Sequence, residues 1–359
     1  MIDQSRITRE WIDDIAGIYK ADPILTEKVI RALLLLEGLV KQDLPFVFKG
    51  GTALMLHFDS AKRLSIDIDI ILPDKKVDLS DILTAIVKQQ GFTHFELQNR
   101  NAKSDIEKAH FKLFYKPARI SGGDEEYVLL DILFEEVYYT QLSQLPIQSS
   151  FVPQEGEPVN VNIPTKEDLL GDKLTAFAPN TTGIPYFKGE DSMSMEIIKQ
   201  LYDIGTLFDE IENLQVVSKT FKKFAVAELA YRDKSKLQPN NILEDIYQTS
   251  LAICTRGKDG DANFEELQKG ISRIRSFIFS EKYHLEKAIS HATKAAYLAT
   301  LLKEEVAVIE RFETGIDMKD WVITQPMNTR VNKLKKTDPE AFFYWFKIFK
   351  LAPKSQTDS

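Results

Sequence analysis

One cysteine, Cys254, occurs in 359 residues, which excludes an intrachain disulfide and any cysteine-based zinc cluster. As a lone thiol it reads as a small buried apolar side chain. Nor is there an excess of positive charge. Lysine and arginine number 46 against 54 aspartates and glutamates, a net of −8, so the chain does not coat nucleic acid through bulk electrostatics, although a local basic patch is compatible with that balance. Long apolar runs are missing as well. The first residues, M-I-D-Q-S-R-I-T-R-E-W, lack the apolar core of a signal peptide. The most apolar helix-like run, residues 32–40, is bordered by Arg31, interrupted by Glu37 and too short to span a membrane. The expected location is therefore the cytoplasm. No Ser-His-Asp or H-E-x-x-H arrangement is visible, which leaves serine-hydrolase and zinc-protease chemistry without support. His57 follows the turn helix, where it could face a nucleotide, but a lone histidine there reads as a packing or surface residue, and no internal repeat or low-complexity tract is present.

The length allows two domains, each with its own core. Residues 6–42 read as two helices, the second carrying Val29, Ala32, Leu33, Leu36 and Leu39 at helical spacing. Strand-like runs follow at 46–48, 66–70, 92–97, 110–115, 127–134 and 159–163, with a helix over 79–89 and a hairpin turn at 121–124. Beyond Pro164 the apolar period changes from two to about 3.6, giving helices over 166–177, 195–208, 221–232, 242–254, 264–279 and 286–311, and a frayed tail after Lys354. The fold class is α+β: a mixed sheet with flanking helices over residues 1–165, then a helical domain over 166–359. Most of the net negative charge falls in the strand-rich half.

The stretch 45–72, P-F-V-F-K-G-G-T-A-L-M-L-H-F-D-S-A-K-R-L-S-I-D-I-D-I-I-L, is the most informative. Gly50 and Gly51 break a strand before Thr52 opens a helix, a turn that aims backbone N–H groups at an anion. Asp67 and Asp69 then alternate with isoleucines, so both carboxylates face one side of a strand. Asp131 is the single charge in Y-V-L-L-D-I-L-F, costly to bury without a cation or donors. If its strand neighbours that of Asp67 and Asp69, the three form an oxygen-only set suited to magnesium.

The ordered blocks K-G-G-T-A-L, R-L-S-I-D-I-D, the apolar strand with Asp131, E-D-L-L-G-D-K-L-T-A-F and K-Q-L-Y-D-I resemble the AbiEii/AbiGii-type nucleotidyl transferase toxins, within the DNA polymerase β-like nucleotidyltransferase superfamily. The resemblance covers residues 46–208. It implies that Gly50, Gly51 and Thr52 hold phosphate, that Asp67 and Asp69 are paired metal ligands, and that Asp131 is the third carboxylate, which activates the attacking hydroxyl. Lys173 would contact the nucleoside triphosphate, Asp203 matches the acidic residue of the following block, and Arg63 and Ser65 lie inside the same signature. Two features depart from the pattern. The turn reads Gly-Gly-Thr instead of Gly-Ser, and only Lys199 is basic just ahead of the last acidic block, which a long insert separates from Lys173.

The resemblance further implies a nucleotidyltransferase that uses two magnesium ions to move a nucleoside monophosphate from a triphosphate to an acceptor hydroxyl. The setting would be a bacterial toxin-antitoxin or abortive-infection system, with tRNA as acceptor, a separately encoded antitoxin as partner and no membrane association. A small-molecule nucleotidyltransferase of the antibiotic-modifying kind and a non-catalytic nucleotide-binding module of the same fold remain open. The C-terminal segment 328–351 places Arg330, Lys333, Lys335 and Lys336 ahead of Phe342, Phe343, Tyr344, Trp345 and Phe346. That pairing reads either as an RNA-holding surface or as a last amphipathic helix burying its aromatics.

Overall fold

The structure, a computed structural model, describes residues 1–58, 62–98, 108–119 and 124–352. Most of the hairpin turn expected at 121–124 and the tail expected to fray after Lys354 lie outside the described residues. The chain forms two compact units: Met1–Leu169 with Arg275–Lys282, and Leu170–Ile274 with Tyr283–Ser359.

The first unit opens with α1 (Arg9–Tyr19) and α2 (Pro23–Lys41). Thr8 caps α1 by accepting the Trp11 N–H, and Asp22 caps α2 by accepting from Ile24 and Leu25, with Pro23 pre-set at the first helical position. The run from Ala32 to Leu36 is buried on every side of α2, so this helix forms the floor of the core. Then follow β1 (Val47–Lys49), α3 (Gly50–His57), β2 (Ile68–Ile71), α4 (Leu79–Gln89), β3 (His94–Leu97), β4 (Lys108–Tyr115) and β5 (Glu126–Leu133). The five strands make one mixed sheet in the order β1-β2-β5-β4-β3, parallel only between β2 and β5. Ile68, Ile70, Leu130 and Ile132 are fully buried on one side of it, and α2 packs against β2, β5 and α4.

A second ribbon pairs β6 (Leu142–Pro146) with β7 (Asn160–Pro164). Its first strand carries little β-branched or aromatic signal, L-S-Q-L-P, and was not legible in the sequence. Asp168, fully buried, accepts the backbone N–H groups of Thr140 and Gln141 and the Thr165 hydroxyl, tying the end of the unit to the ribbon. The segment Arg275–Lys282 returns to this unit from far along the chain. Leu64 donates its N–H to Phe277 O at 2.7 Å, Arg63 bridges Ile278, and the Ser280 hydroxyl donates to Lys62 O.

The boundary between the units falls inside α5 (Lys166–Ala176). After the short hairpin β8 (Phe187–Lys188) and β9 (Asp191–Ser192), the second unit contains α6 (Ser194–Phe208), α7 (Leu214–Tyr231), α8 (Pro239–Cys254), α9 (Phe264–Arg273), α10 (Leu285–Lys303), α11 (Leu334–Thr337) and α12 (Pro339–Leu351). Buried along nearly its whole length, α10 packs against α6, α8 and α12. Three helix ends differ from expectation. Helix α7 starts at Leu214 because Asn213 caps it, accepting from Gln215 and Val216; α9 tightens into a 3-10 turn after Arg273; and α10 stops at Lys303, ahead of Glu305 with its positive φ of 53°.

Helix α12 settles the two readings of the C-terminal aromatics. Phe342, Phe343, Tyr344, Trp345 and Phe346 are buried, and Trp321 stacks on Phe346 at 4.3 Å between centroids. The Lys335 ammonium donates to the Trp321 carbonyl at 3.1 Å. The aromatics are core, so the RNA-holding reading loses its stacking platform.

Candidate active site

Strand β1 ends at Lys49, and the chain turns directly into α3 through Gly50, whose φ of +82° favours glycine. Space imposes the same choice independently. A Cβ on Gly50 would lie 2.1 Å from Asp69 Oδ2, so the Asp69 carboxylate sits against the turn backbone. A Cβ on Gly51 would meet Arg63 Nη2 at 2.6 Å and Ser65 Oγ at 2.7 Å. Both glycines are therefore required for side chains of the 63–69 segment to reach the turn. Thr52 is fully buried and its hydroxyl donates to the carbonyl of Asp67 at 2.6 Å, fastening helix to strand. Because lysine can only donate, Lys49 at the N-cap gives the first-turn N–H groups of α3 no side-chain acceptor. The Lys49 side chain thus does not cap this helix N-terminus, the end of a helix that suits an anion.

Arg63 is 7% exposed and also donates through Nη1 to its neighbour Leu64's carbonyl at 3.0 Å. Gly50, Gly51, Thr52, Arg63, Ser65, Asp67 and Asp69 therefore belong to one locality of the first unit. Asp67 lies one residue before β2 and Asp69 within it, two residues apart on the side opposite the buried Ile68 and Ile70.

β5 is the immediate parallel neighbour of β2, and their register sets Asp69 directly beside Asp131. The register continues in both directions: Lys49 on β1 pairs with Asp69, and His110 on β4 pairs with Asp131. A transverse row, Lys49-Asp69-Asp131-His110, crosses four strands at partly exposed positions of the face opposite the isoleucines. His110 Nδ1 lies 2.7 Å from Asp131 Oδ1. Two adjacent carboxylates repel, and the row ends in basic residues on both sides.

Among the described residues no group of three or more His, Cys, Asp or Glu side chains gathers as a ready-made metal cage. Magnesium does not need one. It binds through one or two carboxylates completed by water and substrate phosphates, and the in-register pair Asp69 and Asp131, with Asp67 adjacent, fits that donor pattern.

In the second unit, Lys173 on α5 and Asp203 on α6 form an ion pair of 2.7 Å with side chains 7% and 3% exposed. Lys173 Nζ also lies 3.3 Å from Gln200 Oε1. The insert between the two helices folds back. Asp245 on α8 accepts the N–H groups of Asn180 and Thr181 and the Thr181 hydroxyl, and so anchors the insert at its start. Close helix packing accompanies the pair: a Cβ on Gly171 would come within 2.8 Å of the Val217 carbonyl, and one on Gly205 within 2.2 Å of the His291 ring.

Sequence reasoning missed His110 and Lys49. Each lies in a recognisable strand, but only the pairing register shows which residue it faces. His57 packs, its Nε2 lying 2.7 Å from the carbonyl of Pro164, and burial pushes its imidazole below the ordinary value.

Comparison with known proteins gives one family match. The family model described as "Nucleotidyl transferase AbiEii toxin, Type IV TA system" matches residues 34–288. Among solved structures, the chain is similar to a candidate nucleotidyltransferase from H. pylori, with 16% identity, 78% of this chain and 94% of that chain covered, and a TM-score of 0.42. It is also similar to JHP933 from Helicobacter pylori, with 15% identity, coverage of 78% and 91%, and a TM-score of 0.39. An antigenic nucleotidyltransferase-like protein from Paracoccidioides brasiliensis matches with 15% identity, coverage of 59% and 93%, and a TM-score of 0.35. No curated protein matches the sequence significantly.

Proposed function

Because the chain belongs to the nucleotidyl transferase AbiEii toxin family of type IV toxin-antitoxin systems, we propose that it transfers a nucleoside monophosphate from a nucleoside triphosphate to a hydroxyl of tRNA. The acceptor oxygen attacks the α-phosphorus, the bond from that phosphorus to the bridging oxygen breaks, and pyrophosphate leaves. The hydroxyl proton passes to the Asp131 carboxylate. The turn at Gly50 and Gly51 presents backbone N–H groups to the triphosphate, orienting it before reaction.

Asp67, Asp69 and Asp131 would hold magnesium, two ions by the superfamily pattern, which when bound neutralise phosphate charge and stabilise the departing oxygen. The observation that supports this reading above all others is the register of Asp69 beside Asp131, with the glycine turn closed against Asp69. A separately encoded antitoxin restrains the activity in an abortive-infection setting. Among the described residues, no helix is long and apolar enough to cross a membrane.

The test is direct. The purified protein is incubated with magnesium, each of the labelled nucleoside triphosphates, and either total tRNA or small hydroxylated acceptors. Label on tRNA supports the proposal, and label on small acceptors alone moves it to an antibiotic-type transferase. Triphosphate binding without product after long incubation identifies a non-catalytic module. Expression with and without the neighbouring gene then tests toxicity and its neutralisation.

A further inference from the structure

Asp131 is held by a neighbour that the proposed chemistry does not itself require. His110 and Asp131 are direct cross-strand partners on β4 and β5, joined from Nδ1 to Oδ1 at 2.7 Å, with side chains 16% and 29% exposed. An ionised carboxylate only accepts hydrogen bonds, so the proton of this bond belongs to Nδ1. A terminal carboxylate torsion is otherwise broad and roughly two-fold. The imidazole, fixed in its strand, selects one orientation: Oδ1 is engaged by His110, and Oδ2 is turned away from it.

That selection matters because of what lies on the other flank. Asp69 is the next residue along the row, on the parallel strand. An untethered Asp131 carboxylate would turn under repulsion from Asp69; its two oxygens are equivalent, so what would be lost is the fixed plane of the group. The cross-strand bond opposes this without requiring His110 to touch a reacting atom. Lys49 stands at the other end of the row, opposite Asp69, and its ammonium lies 5.8 Å from the Tyr139 ring centroid. The two ends thus differ in kind: a flexible point charge beside Asp69 and a rigid directional donor beside Asp131.

We infer that His110 is a positioning residue for nucleotidyl transfer, its Nδ1–H fixing the plane of the Asp131 carboxylate so that Oδ2 is held in one orientation to receive the proton of the acceptor hydroxyl. This rests on the assignment of Asp131 made above. In the transfer step the O–H proton moves to Oδ2 while the oxygen–phosphorus bond forms and pyrophosphate departs; His110 neither gains nor loses a proton.

Two substitutions separate positioning from mere packing. His110→Phe keeps the ring and removes the donor, whereas His110→Asn places an amide N–H near the position of Nδ1. With labelled triphosphate and total tRNA, His110→Phe lowers kcat by about 10- to 100-fold, as expected when a hydrogen-bond partner behind a working carboxylate is lost. KM for the triphosphate stays within about two-fold, and His110→Asn recovers most of the rate. Independently of activity, long-range nitrogen–proton spectra of histidine-labelled protein show His110 protonated at Nδ1, and Asp131→Ala changes that signal. An undiminished kcat in folded His110→Phe, a His110→Asn variant as slow as His110→Phe, or a resting His110 protonated only at Nε2 overturns the inference. If His110→Phe does not fold, the Asn variant and the spectrum decide. Asp131→Asn separates the two levels: if it retains transfer, the assignment of Asp131 itself fails, whereas loss there with full activity in His110→Phe overturns only the role of His110.

Discussion

The Asp69 carboxylate occupies the space that a side chain at Gly50 would need, with Oδ2 only 2.1 Å from where a Cβ would stand. Turn and acid are therefore one structural object, and neither can change alone. Gly50→Ala must both strain a left-handed backbone and push Asp69 aside. The expected result is a loss of about 1–3 kcal/mol in stability together with loss of transfer. Gly156→Ala is the control. Its φ is +63° but nothing lies within 4 Å of the added methyl, so denaturant unfolding should show backbone strain alone, with transfer unchanged.

Asp69→Asn and Asp131→Asn retain shape and remove charge at adjacent positions of the row. Transfer should fall by about 100- to 1000-fold, the range found when a group that stabilises transition-state charge is removed. Thermal melting should stay level or rise, because like charges directly opposite one another on paired strands disfavour the fold by about 0.2–1 kcal/mol. A variant that loses activity only because it unfolds would contradict this.

Lys173 and Asp203 make a different prediction. With both side chains nearly inaccessible, Lys173→Met takes the ammonium away from a buried carboxylate and should cost up to about 3–5 kcal/mol in urea unfolding, whereas the double change Lys173→Met with Asp203→Leu should recover most of it. Activity of the folded double variant decides whether the pair also serves the triphosphate. Full transfer would confine Lys173 to a structural role.

Part of the acid sensitivity should trace to His291. Its ring is 2% exposed and burial holds its pKa well below the ordinary 6.5, so the native state keeps it neutral while the unfolded chain binds a proton. Stability from this site is fully present above pH 6.5. As pH falls below that value it is lost at up to about 1.4 kcal/mol per pH unit, until the folded-state pKa is reached. Chemical denaturation at a series of pH values should give a shallower acid limb for His291→Gln, while an unchanged limb would assign the sensitivity elsewhere.

Much of this site could be read from the chain because its parts are local. The two glycines before Thr52 and the period-two spacing of Asp67 and Asp69 depend on neighbours in sequence, and backbone geometry alone makes them meaningful. Asp131 announced itself by being a charge in an apolar strand, but its place beside Asp69 is a matter of strand order. His110 was invisible for the same reason: in H-F-K-L-F-Y it is one more strand residue until β4 lies antiparallel to β5 in this register. The helices followed their apolar period well, since α4 and α6 bury a face that repeats in sequence. Their ends were less legible. Asn213 advances α7 by a cap that the apolar pattern does not contain, and α10 stops where the chain leaves the bundle, although Val306 and Val308 would have continued the pattern.

The return of Arg275–Lys282 to the first unit has a consequence for biosynthesis. The signature residue Arg63 and its neighbours Lys62 and Leu64 take their partners from Phe277, Ile278 and Ser280, more than two hundred residues later. A ribosome that has finished the sheet has not yet supplied the segment that pairs with Lys62, Arg63 and Leu64. Local contacts form as the chain emerges, but this pairing has to wait until most of the second unit has been synthesised. For a protein of a toxin family, the order of translation itself delays completion of the glycine–aspartate locality, so a prematurely terminated chain carries every signature residue from Gly50 to Asp203 and still lacks the segment that fastens Arg63.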